Sequence, residues 1–201
     1  MQPKKWFKLY GSGDSCGLYI DDAVHGEESH LLGQDIREKI EKNGNVLEDW
    51  PDVHVFGSAK RFLRRRYDVV APQFTAGCPG FTERAMALLK SHWSDIEWLP
   101  LKHRGGIYFF IAKPLLRFDV QDHGKSSISY LTGYPREPQN VTSLYRDWIH
   151  EFPELESLRS FCTPESVGRS HYVSEETKAF FYQNHITGAA FESIGVTPRS
   201  P

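Results

Sequence analysis

The stretch that decides the fold runs from Ile96 to Val120 and reads IEWLPLKHRGGIYFFIAKPLLRFDV. It is rich in β-branched and aromatic residues, which favour strands. Gly105-Gly106 and Lys113-Pro114 interrupt it in the manner of turn residues. The pattern predicts an antiparallel meander of three strands, at Ile96 to Leu101, Gly106 to Ala112 and Leu115 to Val120. We expect its core positions to be Trp98, Tyr108, Phe110, Leu116 and Phe118.

Helix signals lie on both sides of this stretch. Thr82 can cap a helix over Glu83 to His92, and Ser174 can cap a second helix that carries two glutamates in its first turn. Weaker patterns predict helices at Gly33 to Lys42, Ser58 to Tyr67 and Ser143 to His150. Further strands are expected at Trp6 to Tyr10, with Leu18 to Ile20 as its hairpin partner, at Val53 to Phe56, and at Ala190 to Ile194 after Gly188.

Strands and helices are therefore mixed, without the regular βαβ alternation that a parallel sheet requires. No linker or internal repeat divides the chain. The sequence predicts one α+β domain over residues 1–201, with a mainly antiparallel sheet and several short packing helices.

Composition limits the function classes. The 201 residues include 24 Lys and Arg against 26 Asp and Glu, so the net charge of −2 provides no global field for nucleic acid. No apolar run approaches the length of a membrane span, and the N-terminus lacks the apolar segment of a secretory signal. The three cysteines, Cys16, Cys78 and Cys162, fit no disulfide framework. We expect a cytoplasmic protein with reduced thiols.

Two nucleophile candidates can be named. Gly13-Asp14-Ser15-Cys16-Gly17 matches the G-x-S-x-G elbow, but a β-like segment follows where the elbow requires a helix. Cys78 precedes a predicted helix start, a position that can lower the pKa of a thiol. A hydrolase or transferase that uses Ser15 or Cys78 is therefore an alternative, and the expected role of both residues is structural.

Metal and cofactor signals are weak. The chain contains no C-x-x-C, H-x-H or H-x-x-x-H pattern, and its densest group of possible ligands is Asp119, Asp122 and His123 near a strand end. The glycines at 11, 13 and 17 lack the spacing of a dinucleotide fingerprint. We expect no metal and no cofactor.

One basic patch occurs in the chain, at Lys60-Arg61-Phe62-Leu63-Arg64-Arg65-Arg66. A nucleic-acid-binding module that uses the Arg64 to Arg66 helix is a second alternative, since such modules interleave basic and aromatic residues. On a helix over 58–67, however, the charges fall on the side opposite to the apolar residues, as on any solvated amphipathic helix.

From about Trp50 to Ile194, the order of features resembles an immunity-protein family of bacterial polymorphic toxin systems, the myxobacterial-type immunity domain. The resemblance rests on order and spacing more than on any single motif. Its components are the helix Thr82 to His92, Leu99-Pro100, Tyr108-Phe109-Phe110-Ile111, Leu116-Arg117-Phe118-Asp119, Ser126, Val173-Ser174-Glu175-Glu176, Ile186-Thr187-Gly188 and Phe191. The chain departs from the family pattern at Ala112 and Lys113, where an asparagine is expected, and at Pro114.

The resemblance implies a non-enzymatic cytoplasmic protein of interbacterial competition, which binds a cognate toxin C-terminal domain and blocks its active site or substrate access. It covers residues 46–194 and leaves residues 1–45 as a variable acidic part. It implies no catalytic residue, and the composition adds the expectation of no membrane partner and no direct contact with nucleic acid.

Charge predicts where such a toxin would bind. Toxins that attack nucleic acid or nucleotides commonly present basic clefts, so an inhibitor gains association rate and specificity from clustered carboxylates. The candidate toxin-binding residues lie in a segment with turn character: Asp14, Asp21, Asp22, Glu27 and Glu28. The alternative interface is the basic helix, through Arg61, Arg64 and Arg65, which would suit an acidic toxin surface.

Overall fold

The computed structural model describes residues 4–11, 17–57, 67–75, 78–121, 130–131, 134–138, 143–145, 151–164 and 171–197. The helices are α1 (Asp22–His25), α2 (Ser29–Glu41), α3 (Glu83–Lys90) and α4 (Glu175–Gln183). The first strands are β1 (Trp6–Gly11), β2 (Gly17–Ile20), β3 (His54–Gly57), β4 (Val69–Pro72), β5 (Gly80–Thr82), β6 (Ile96–His103) and β7 (Tyr108–Pro114). The later strands are β8 (Tyr130–Leu131), β9 (Tyr134–Pro138), β10 (Ser143–Tyr145), β11 (Ser160–Phe161), β12 (His171–Ser174), β13 (Ala189–Ser193) and β14 (Gly195–Thr197).

Six strands close a small barrel in the order β2, β3, β6, β7, β5, β4. Its longest pairing is the antiparallel hairpin of β6 and β7, in which Leu99 lies opposite Ile111. The parallel pairs β2 with β4 and β3 with β6 complete the closure, while most strand pairs in the described residues are antiparallel. The fold class is α+β, and the predicted hairpin of the 96–114 region is confirmed.

The third predicted strand of the meander is wrong. After Pro114, the chain leaves the barrel and runs beside residues 160–163: Phe118 N donates to Cys162 O, and Arg117 forms one isolated parallel bridge with Cys162. Leu116 and Phe118 are half-buried along this path. A segment rich in strand-forming residues thus pairs with a distant chain segment rather than with its sequence neighbour.

A second sheet has the strand order β11, β12, β1, β13. Strand β1 lies between two strands from the other end of the chain, with Phe7 opposite both Val173 and Ser193. Its predicted hairpin with Leu18 to Ile20 is therefore wrong, because that segment, as β2, pairs with β3 and β4 in the barrel. The predicted last strand is confirmed as β13.

Three apolar clusters make up the core of the described residues. The first joins alternate barrel residues, such as Leu18, Val55 and Leu99, to Ile36 and Ile40 of α2. The second packs β1 and β12 against α3 and α4, with Trp93 and Phe81 in edge contact at 5.8 Å. The third covers the other face of the second sheet. It contains Trp6, Val120, Leu155, Phe161, Tyr172 and Ile194.

The prediction that Tyr108 and Phe110 are the core positions of β7 is wrong. Phe109 and Ile111 are fully buried, whereas Tyr108 is 43% exposed and Phe110 is only half-buried. Trp98 on β6 is likewise half-buried against the second cluster. Because aromatic residues occupy successive positions of β7, the apolar pattern alone does not define which side faces the core.

The capping predictions are confirmed. Thr82 accepts a hydrogen bond from Ala85 N at the start of α3, and Ser174 accepts one from Thr177 N at the start of α4. Helix α3 ends at Lys90, two residues before the predicted end. The helix expected from Ser143 is wrong at its start, since 143–145 form β10, parallel to β14. The predicted helix over 58–67 lies outside the described residues except for Tyr67.

Candidate protein-binding surface

The acidic segment that the sequence presents as a loop is helical. Asp21 caps α1 and accepts a hydrogen bond from Ala23 N at 3.0 Å, a 3-10 turn covers Gly26–Glu28, and α2 follows directly. The predicted helix at Gly33 to Lys42 is real but begins four residues earlier, at Ser29. We call the exposed side of residues 22–41 the acidic face.

Asp21 does not belong to the exposed part of this face. Its side chain is completely buried and forms a two-pronged ion pair with Arg104 in the β6–β7 turn. The hydrogen bond from Arg104 holds the pKa of this carboxyl below its usual value. The role of Asp21 in toxin binding stays a prediction. In the structure, its carboxylate binds Arg104 and caps α1, so it holds the start of the helical segment against the β6–β7 turn.

The other predicted acidic residues differ in position. Asp22, Glu27 and Glu28 are exposed on the acidic face, whereas Asp14 lies outside the described residues. Two apolar side chains stand among them in solvent, Val24 at 54% and Leu31 at 64% exposure. The face therefore combines carboxylates with exposed apolar surface, the two components that protein interfaces bring together.

An open cleft of about 400 Å³ borders the acidic face. Tyr19 of β2 and Phe56 of β3 form part of its wall as a cross-strand pair, with ring centres 5.6 Å apart. Gly33 lets α2 approach β2 closely, because a Cβ there would lie 3.3 Å from the Ile20 side chain. The lining consists of Tyr19, Ile20, Asp22, Ser29, His30, Gly33, Gln34, Arg37, Phe56, Gln73 and Phe74.

Charged groups around the cleft are held in place to different degrees. Arg37 donates from Nε to the carbonyl of Phe74 at 2.9 Å. The guanidinium carbon of Arg104 lies 5.3 Å from the centre of the Phe56 ring, so this cation both covers an aromatic face and binds Asp21. Asp22 forms no ion pair with any residue in the described part of the chain.

Polar contacts fasten both ends of the acidic face to the barrel. At its start, His25 accepts a hydrogen bond from His54 N in β3, beside the Asp21 pair. Beyond its end, the buried carboxylate of Glu97 accepts from the backbone N–H groups of residues 46 and 47, at 2.8 to 3.0 Å. Lys113, opposite Glu97 in the hairpin, donates to that carboxylate and to the carbonyl of Gly44. The acidic face is thus held at its start by β3 and the β6–β7 turn, and beyond its end by the β6–β7 strands themselves.

Of the two nucleophile candidates, Ser15 and Cys78, the structure describes Cys78 alone. Cys78 is buried and donates to the carbonyl of Ala112, and burial raises the pKa of its thiol to about 12. Cys162 is also buried, with its pKa raised to about 11 by burial. Ser15 and Cys16 lie outside the described residues. A thiol whose pKa is near 12 is protonated at neutral pH, and only the thiolate is a good nucleophile.

The remaining candidates are only partly placed. Asp119 is exposed, while Asp122 and His123 lie outside the described residues, as do Arg61, Arg64 and Arg65 of the alternative interface. Within the described ranges, no group of three or more His, Cys, Asp or Glu is arranged to hold a metal ion. No helix of those ranges combines the length and apolar character needed to cross a membrane.

Sequence reasoning missed the aromatic part of this surface. Tyr19 lies between Leu18 and Ile20, which both belong to the first apolar cluster. Phe56 lies between Val55, also of that cluster, and a glycine. Because successive side chains of a strand point to opposite faces, both aromatic rings face away from the cluster. An exposed aromatic at such a position is the signal that was available. A comparison with protein-family models finds no match for this chain, and a search of the curated proteins finds none either.

Proposed function

We propose that the chain is an immunity protein that binds a cognate bacterial toxin domain through the acidic face and blocks its active site or substrate access. The observation that carries this proposal is the combination of five exposed carboxylates, two large exposed apolar side chains and an open cleft along one helical segment. The resemblance noted in the sequence points to the same class of function.

The charge of this segment favours a basic partner. Residues 21–41 contain seven acidic and two basic side chains. Both bases have partners within the chain, since Lys39 lies 3.6 Å from Asp35 and Arg37 binds the carbonyl of Phe74. An acidic surface of this kind accelerates association with a basic protein, and the effect weakens as salt screens it. Toxin domains that act on phosphate-containing substrates present such basic surfaces.

Rigidity supports the same proposal. The Asp21–Arg104 pair and the Glu97–Lys113 pair hold the acidic face at its two ends, and Arg117 donates to the carbonyl of Lys42 just beyond α2. A surface that is ordered before binding loses less conformational entropy when a partner docks. An inhibitor of this type requires complementarity and no reactive centre, and the protonated, buried thiols of Cys78 and Cys162 agree with that requirement.

Co-expression tests the proposal directly. The domain encoded at the end of the reading frame immediately upstream, where a cognate toxin is expected, is produced in a bacterial host with or without this chain, and growth is followed. We expect the chain to restore growth and the double reversal Glu27→Lys/Glu28→Lys to restore it poorly. The matched control is Glu154→Lys/Glu192→Lys, which reverses two exposed carboxylates on other elements. Growth arrest that the unaltered chain fails to relieve would contradict the proposal.

A further inference from the structure

We infer that the cleft beside the acidic face is an anchor pocket for one arginine side chain of the partner protein, an inference that rests on the proposed function. The pocket is bounded by an aromatic pair on one side and by acceptors from α1 and α2 on the other. Three features support this inference: an aromatic wall, an exposed carboxylate, and a guanidinium that the chain already holds in the same manner.

The aromatic wall is formed by Tyr19 and Phe56. Tyr19 is 47% exposed and packs against Phe56 with their ring planes inclined by 30°. A planar guanidinium stacks on such rings, and it is less strongly hydrated than an ammonium group, so it leaves water at lower cost. Aromatic and arginine side chains also supply most of the binding energy where interfaces have been dissected by mutation.

The acceptors come from the helical side of the cleft. Asp22 contributes an exposed carboxylate that forms no ion pair with the described residues. Gln34 donates its amide N–H to Glu38 at 3.1 Å, which fixes the side chain while its carbonyl oxygen keeps its acceptor capacity. Ser29 adds a hydroxyl group. Arginine carries five N–H donors in a fixed plane and can use several such acceptors at once.

Next to the pocket, the chain already holds one of its own guanidinium groups between an aromatic ring and a carboxylate. Arg104 lies over the Phe56 ring and binds the carboxylate of Asp21, the residue before Asp22. In the proposed pocket, Asp22, the residue after Asp21, supplies the carboxylate. Tyr19, the cross-strand partner of Phe56, supplies the ring. Arg37 is the opposing charge in the lining, and its bond to the carbonyl of Phe74 ties it to the 3-10 turn at Gln73–Thr75.

The test uses the isotope-labelled full chain and small probes in solution. N-acetyl-arginine amide is titrated while the backbone amide signals of Tyr19 and Gly33 are followed by nuclear magnetic resonance. N-acetyl-citrulline amide has nearly the same shape without the charge, and N-acetyl-lysine amide has the charge without the plane. We expect saturable binding of the arginine probe in the millimolar range. The citrulline probe should bind about tenfold more weakly because it lacks the charge-assisted pair, and the lysine probe should bind more weakly because its ammonium has no plane to stack on the ring.

Substitutions in the cleft locate the binding site of the arginine probe and test how charge in the lining affects its affinity. Asp22→Asn and Tyr19→Ala are expected to weaken binding of the arginine probe at least about fivefold. Arg37→Gln is expected to strengthen it, because a like charge is removed from the lining, and Glu154→Gln is the control that leaves it unchanged. Equal binding of arginine and citrulline probes, or no saturable shift, would overturn the inference. So would preferential binding of N-acetyl-glutamate amide that disappears in Arg37→Gln, because the cleft would then be an anion site.

This outcome is separable from that of the proposed function. Growth rescue that persists although the arginine probe fails to bind refutes the pocket and leaves toxin neutralisation standing. Binding of the arginine probe without growth rescue refutes toxin neutralisation and leaves the pocket standing.

Discussion

Truncation of Phe109 to alanine should be among the most costly changes in this protein. The Phe109 side chain has no solvent exposure and lies in the apolar cluster of the barrel, with His103 in edge contact at 6.0 Å. A buried Phe→Ala change costs about 3–5 kcal/mol through lost transfer free energy and the cavity that remains. The aromatic contact adds about 0.5–1.5 kcal/mol, so we expect a loss near the top of that range. Since the free energy of unfolding of such a domain is only about 5–15 kcal/mol, this loss would remove about a third or more of it.

The neighbours of Phe109 on the same strand provide matched comparisons. Phe110 is half-buried and Tyr108 is 43% exposed, so truncation of either should cost clearly less than truncation of Phe109. Urea unfolding followed by far-ultraviolet circular dichroism gives the three free energies of unfolding under one set of conditions. A Phe110→Ala variant that is less stable than Phe109→Ala would refute the assigned face of β7 and the barrel interior built on it.

Three further predictions concern buried polar groups. Lys113→Met removes the partner of the buried Glu97 carboxylate, so unfolding free energy should fall by about 3–5 kcal/mol, and Glu97→Gln/Lys113→Met should recover part of the loss in the same urea assay. His171 is fully buried against Trp93, and burial lowers its pKa to about 3. Below pH ~6.5, the unfolded chain binds a proton that the folded chain excludes, so stability should fall by up to about 1.4 kcal/mol per pH unit as the pH drops toward 3. His171→Phe should make unfolding less pH-dependent over this window, and an unchanged slope would contradict the assignment. Iodoacetamide at pH 8 should label Cys78 and Cys162 only after unfolding, as judged by peptide mass spectrometry, and fast labelling of either residue in the native chain would contradict their burial.

Local signals predicted the parts of the fold that depend on neighbouring residues. Thr82 and Ser174 cap their helices because the bonds to Ala85 N and Thr177 N close within three residues. The β6–β7 hairpin was predictable because its two strands adjoin one turn, where Gly106 takes a positive φ of 72°. In each of these elements, one short window of sequence contains all the interactions that define it.

The other strand pairings could not be predicted because their partners are distant in sequence. Trp6 of β1 lies opposite Ser174, and Ser143 of β10 lies opposite Gly195 in a parallel pair. Nothing near Trp6 or Ser143 specifies those partners, and loop closure over such separations leaves no local pattern. The apolar residues of Ser143 to His150 recur at helical spacing, at positions 144, 145, 148 and 149, so the local pattern favours a helix, and the pairing of residues 143–145 with a distant strand overrides it.

The charge of the candidate surface can be predicted from the sequence, but its cleft cannot, because the cleft also depends on pairing between distant residues. The charge of Asp22, Glu27 and Glu28 is visible in the sequence, and so is their position in a polar segment. The burial of Asp21 depends on Arg104, which is distant in sequence, and the cleft depends on the pairing of Tyr19 with Phe56. Charge can be counted along a chain, whereas a pocket exists only after distant segments meet.

Toxin neutralisation through the acidic face can be tested by titration calorimetry of this chain with the domain encoded at the end of the reading frame immediately upstream. We expect tight binding by the unaltered chain. Asp22→Lys/Glu27→Lys/Glu28→Lys should weaken binding by at least about a hundredfold, the combined effect of several interfacial charges, and more strongly at low salt than at high salt. Reversal of Arg61, Arg64 and Arg65 should leave the affinity nearly unchanged. The opposite ranking would rule out the acidic face as the toxin-binding surface and move the interface to the basic segment.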